Sequence, residues 1–114
     1  MASLPIGRDW KMNVNSYYGS LFIDTIDVHN NITGRTRLVN EQEIKIFGAW
    51  DEATGKLSFI RQVAGNDVNQ MQSFTGFLFN DGDGKTLVGT AQVYKGNTIN
   101  GFNVGWYAHL QIIP

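Results

Sequence analysis

The stretch Asn103-Val104-Gly105-Trp106-Tyr107-Ala108-His109-Leu110-Gln111-Ile112 carries large side chains on both of its alternating faces. A β-strand sends successive side chains to opposite sides. One register therefore presents Val104, Trp106, Ala108 and Leu110, and the other Asn103, Tyr107 and His109. A strand with one face in water reads polar on that face, so two large-residue faces require two different neighbours. The lumen of a closed barrel and the surface of a second subunit supply them.

Working outward from this strand, turn signals recur at short intervals: Asn30 to Gly34, Asp51 to Gly55, Gly65 to Asp67, Asn80 to Gly84, Lys95 to Asn97, and Asn100-Gly101. Gly, Asn and Asp supply the positive-φ positions that tight hairpins need. Between them lie eight segments rich in β-branched and aromatic residues, Asp9 to Asn13, Tyr18 to Asp27, Ile32 to Val39, Glu43 to Asp51, Lys56 to Val63, Gln72 to Asn80, Thr86 to Tyr94 and Phe102 to Ile112. No segment sustains a helical apolar period. Short connections predict that each strand pairs with the next, giving an all-β, eight-stranded antiparallel up-and-down barrel (a meander). A two-sheet sandwich is the alternative, but it needs a long crossover, and the longest candidate loop is Ala64 to Met71.

Composition removes several function classes. The 114 residues make one domain, residues 1–114, large enough to bury a core without staples. There is no cysteine, which excludes disulfides, thiolate nucleophiles and thiolate metal sites. Nine basic against ten acidic residues offer no field for a phosphate backbone or an anionic lipid surface, so neither nucleic acid nor a membrane is an expected partner. The start, Met1 to Pro5, lacks a basic region followed by an apolar stretch, and no apolar run has membrane-spanning length, so neither a signal peptide nor a span is expected.

Neither His29 nor His109 has a metal-ligand spacing to another His or a carboxylate, and no metal or other cofactor is implied. Asp81-Gly82-Asp83-Gly84-Lys85 alternates carboxylates as a calcium loop does, but Gln92 stands where the bidentate Glu is needed, so it reads as a hairpin turn. Arg35, Arg37, Lys45 and Arg61 fall on neighbouring strands; an anionic ligand could use them, and a solvated face is the simpler reading.

Four stretches resemble the avidin and streptavidin family of eight-stranded barrels, which hold biotin in the mouth. Asp9-Trp10 with Asn13 and Ser16 is similar to the family's opening Trp strand and polar first loop. Ile32-Thr33-Gly34-Arg35-Thr36 resembles its Thr-Gly strand, Ser73-Phe74-Thr75-Gly76 its Phe-Thr-Gly strand, and Asn103-Val104-Gly105 the start of its last strand. The resemblance implies the avidin-like barrel, a small-molecule ligand and an oligomer. The biotin site carries over only in small part: the family's lumen Tyr falls at Thr36, its seventh-strand Trp at Gln92, and its last-strand Asp or Asn at Tyr107. Ser16 and Phe74 alone keep ligand-contacting types.

Taking the register from these motifs, the lumen carries Thr36 and Leu38, Gln72, Phe74 and Leu78, Val88, Thr90, Gln92 and Tyr94, and Tyr107 and His109. Such a wall suits a polar small molecule better than a lipid tail. The candidate binding residues are Asn13, Ser16, Thr36, Gln72, Phe74, Gln92, Tyr94 and Tyr107. A barrel simply filled by mutually satisfied side chains is the alternative. The opposite face carries Phe77, Val93, Val104, Trp106, Ala108 and Leu110, an apolar area that a second copy would cover, giving a homodimer or homotetramer. With the register inverted, this face is the core instead.

The function expected is therefore non-enzymatic binding of a small molecule, glycan-like or biotin-like, in a self-associating barrel. Two other classes stay open: a barrel cyclase or isomerase in which Tyr107 and His109 move protons, and an interaction scaffold working through the Trp106 and Phe77 face.

Overall fold

Asn15 and Ser16 join β1 (Trp10–Val14) to β2 (Tyr17–Ile26) in a turn of two residues, both at positive φ, 48° and 76°. That backbone matches the right-handed twist of the flanking strands, and Asn13 Oδ1 accepts from the Ser16 N–H at 3.0 Å to hold it. At the next hairpin, before β3 (Asn31–Leu38), the Asp27 carboxylate accepts from the backbone N–H groups of His29 and Asn31, both at 2.9 Å, while Asn30 takes φ 64°. β4 (Ile44–Asp51) turns into β5 (Lys56–Ala64) around Asp51, whose side chain accepts from Ala53 N and Thr54 Oγ1, with Gly55 at φ 70° closing the turn.

The computed structural model describes residues 4–64, 69–80, 82, 84–95 and 98–111, with side chains placed except at 63–64, 69–70, 93–95 and 98–102. β6 (Asn69–Asn80), β7 (Gly84–Lys95) and β8 (Thr98–Gln111) complete the order. Every strand pairs antiparallel with the next and β8 pairs with β1, so the sheet is a closed barrel. The described residues contain no helix. Two expected loops are shorter than the sequence suggests. Ala64 pairs with Asn69, so much of the polar Ala64 to Met71 segment belongs to β5 and β6, and Asn100-Gly101 lies within β8.

The alternation on β7 and β8 is the reverse of that expected. Residues directly opposite in an antiparallel pair share a face. Phe74 points inward and stands opposite Ala91, so Ala91 and Leu87 point inward, while Val88, Thr90 and Gln92 belong to the outer wall. Closure then sets β8: Val14 and Met12 of β1 face the interior and lie opposite Trp106 and Ala108. Trp106, Ala108 and Leu110 are thus buried in the core, Val104 packs against it, and none presents its side chain to a partner surface. Tyr107 and His109 face outward. The placement of Thr36, Leu38, Phe74 and Leu78 inside, and of Phe77 outside, agrees with the sequence register.

The interior is packed with Trp10, Leu21, Ile23, Ile32, Ile46, Trp50, Leu57 and Leu87, with Leu4 in the same cluster. The Gly7 N–H donates to the Ile23 carbonyl at 2.7 Å, which seats the leading segment on the barrel. Within the core Phe59 and Phe74 stack, centroids 4.8 Å apart, and the Trp106 ring meets both edge-on. The Trp106 indole N–H points between strands, 3.2 Å from the Thr75 carbonyl and 3.1 Å from that of Thr90, so the ring has no freedom to turn.

Candidate functional site at the barrel mouth

Above the aromatic layer, at the end where β1 meets β2 and β3 meets β4, the interior opens into a cavity of 380 Å3 lined by Val14, Tyr17, Leu38, Val39, Asn40, Glu41, Arg61 and Gln72. β5 alternates Leu57, Phe59 and Arg61 inward, which puts a guanidinium one inward step beyond the Phe59 ring. Gln72 lies directly opposite Arg61 and stands in the same relation to Phe74. Two larger hollows, 490 and 550 Å3, lie around the β3–β4 connection, and neither includes Arg61.

Arg61 is 1% exposed, which for an ionised side chain demands compensation. It receives part. Nη2 donates to Glu41 Oε1 at 2.5 Å, and the same oxygen accepts from the Leu38 N–H at 3.0 Å. Nε and Nη1 have no partner, nor does the Oγ1 of Thr36, a fully buried residue one inward step below Leu38. Glu41 belongs to a connection held against the rim by Val39 N–H to the Tyr18 carbonyl, 2.8 Å, and by Asn40 at φ 62°. Arg61 is among the residues lining the cavity, and its Nε and Nη1 are buried donors that an acceptor displacing its surroundings would satisfy.

The eight candidate binding residues are divided by the fold. Thr36, Gln72 and Phe74 point inward, and Gln72 lines the cavity. Asn13 is on the outer side of β1, opposite Tyr107, and its amide is engaged with the turn; Ser16 is exposed in that turn. Gln92 and Tyr107 belong to the outer wall for the pairing reasons above, so neither meets a molecule in the lumen. The Tyr94 and Val93 side chains lie outside the described residues. Tyr107 and His109, the pair weighed for catalysis, stand outside, His109 Nδ1 lying 2.9 Å from Thr86 Oγ1. Among the described residues no three His, Cys, Asp or Glu side chains are placed to hold a metal, and no helix is long and apolar enough to cross a membrane.

Arg61 and Glu41 were the residues hardest to see. In sequence Arg61 sits with Arg35, Arg37 and Lys45, and for those three the solvated reading holds. Arg35 lies outside, bonded to Asp24 and Glu43 and 4.4 Å above the Phe22 ring; its pKa is raised first by the Asp24 hydrogen bonds and then by Glu43. Arg37 and Lys45 are exposed. The available signal was the period-two run Leu57, Phe59, Arg61, which places Arg61 with the two core residues.

On the outer wall, Phe77, Val88 and Tyr107 stand side by side on β6, β7 and β8, and all three are more than two-fifths exposed. Phe79 lies beside them on β6, and Phe47 opposite Ile60 extends exposed apolar surface across β4 and β5.

No protein-family model and no curated protein matches the sequence. Solved structures do match the fold. A low-affinity variant of shwanavidin superposes with a TM-score of 0.75 at 15% identity, covering 96% of this chain and 98% of that one. Apo shwanavidin gives 0.75, also at 15% identity and the same coverage. A complex of a shwanavidin variant with biotin gives 0.73 at 16% identity, covering 96% of this chain and 100% of that one. The chain therefore has the closed eight-stranded antiparallel barrel of the avidin-like proteins.

Proposed function

We propose that this protein is a non-enzymatic binding barrel that takes a small polar molecule at its mouth and self-associates through the outer wall of β6 to β8. The observation that carries the binding reading is Arg61: a buried guanidinium among the residues lining the cavity, with Nε and Nη1 unpaired. Each unpaired buried N–H costs about 1–3 kcal/mol, which a ligand acceptor or ordered water recovers. The fold likeness to a protein solved with biotin supports a mouth ligand. It does not make biotin the ligand, since Gln92 and Tyr107, where the resemblance would put biotin contacts, face outward.

Self-association is supported by the Phe77, Val88, Tyr107 row. An isologous contact between two such faces would remove these aromatic and aliphatic groups from water. Native mass spectrometry with biotin and a panel of small polar metabolites tests both parts. The expected result is an oligomer retaining one small molecule per chain, with retention lost in Arg61→Met. A bare monomer with every compound would overturn the proposal.

A further inference from the structure

We infer that the mouth takes a small organic carboxylate, and that this carboxylate replaces the carboxylate of Glu41 on Arg61. The inference rests on the binding-barrel reading and adds the ligand's chemical class and the group that competes with it. A guanidinium presents five N–H donors, and its Nε and Nη2 form one edge that a carboxylate can span with both oxygens. Glu41 does not span it. Its Oε1 is shared between Nη2 and the Leu38 N–H, and Nε and Nη1 are left unpaired. A carboxylate not tied to the β3–β4 connection can place both oxygens on that edge, replacing a one-point contact with a two-point one.

Charge balance supports exchange rather than addition. Arg61 and Glu41 together are neutral, and a second anion beside them would leave an uncompensated negative charge in a site where Arg61 itself is 1% exposed. Exchange keeps the site neutral, because Glu41 is already 22% exposed on its surface connection and can turn into water. Beyond the guanidinium the cavity wall is largely apolar, with Val14, Leu38 and Tyr17, so the ligand's body should be hydrocarbon and its acidic end should point inward.

Isothermal titration calorimetry with hexanoate and its neutral analogue hexanamide tests this on the wild-type protein, Glu41→Gln and Arg61→Met. Hexanoate should bind the wild type at least about tenfold more tightly than hexanamide, since only the ionised head makes charge-assisted bonds. In Glu41→Gln, which has lost the internal competitor, hexanoate affinity should rise by about tenfold or more, and in Arg61→Met it should vanish. Hexanamide binding as tightly as hexanoate overturns the carboxylate class, as does a Glu41→Gln variant that binds hexanoate no better than wild type. Should neither probe bind any folded variant, the inference falls. The metabolite panel then separates the two readings: a retained neutral compound leaves the binding barrel standing, and none retained removes both.

Discussion

Trp106 lies across Gly76: a Cβ built on that glycine would stand 2.6 Å from Cζ2 of the indole. The ring cannot retreat, because its N–H is held by the Thr75 and Thr90 carbonyls and it meets Phe59 and Phe74 edge-on. Gly76→Ala should therefore destabilise the barrel by about 1–3 kcal/mol, the usual range for overpacking. Urea unfolding followed by tryptophan fluorescence measures it, and a midpoint equal to wild type would show that the ring can shift.

Trp106 and Phe77 should part company when each is changed. Trp106 is 2% exposed in the core, so Trp106→Ala should cost about 3–5 kcal/mol. Phe77 is 44% exposed on the outer wall, so Phe77→Asp should leave the unfolding free energy within about 0.5 kcal/mol of wild type and, under the proposed self-association, lower the mass read by light scattering. An unchanged mass in Phe77→Asp would remove β6 from the proposed interface.

Glu41 and Arg61 should be asymmetric in stability. Glu41→Ala strands a buried cation and is expected to cost about 3 kcal/mol, whereas Arg61→Met replaces the charge with an apolar side chain of similar length and should be neutral or stabilising by about 1 kcal/mol. Thermal melts of the two variants decide it. Equal losses would mean that the pair contributes through its geometry rather than through the charge left behind.

Asp27 makes acid stability sensitive to one hairpin. Its pKa lies below the ordinary value of 3.8, chiefly because the backbone N–H of Asn31 donates to the carboxylate, with the Asn31 amide, the His29 N–H and the His29 charge adding to it. A folded-state pKa below the unfolded one contributes stability that is fully present above the unfolded value and is lost as pH falls through the folded value. Asp27→Asn should flatten the decline in unfolding midpoint below about pH 4, the unfolded aspartate range. Parallel declines in the two proteins would show that other carboxylates carry it.

What the sequence determined by itself was local. Asp51 to Gly55, read as a turn, contains the side chain and backbone freedom that close it, whereas of the Asn30 to Gly34 signal only Asn30 lies outside β3, the turn there being held by Asp27; strand number, order and antiparallel pairing were legible all the same. The inward positions of Thr36 and Phe74 followed from the avidin-like motifs. Tertiary structure decided which face of β7 and β8 is inside. Alternation has period two and carries no sign, so the Trp106 strand reads equally well either way until closure sets Trp106 opposite Val14 and Ala91 opposite Phe74. The site's central charge was hidden for the same reason. Arg61 looks like its outward neighbours in composition, and only the barrel places it above Phe59, with Glu41 reaching it across 20 residues of chain.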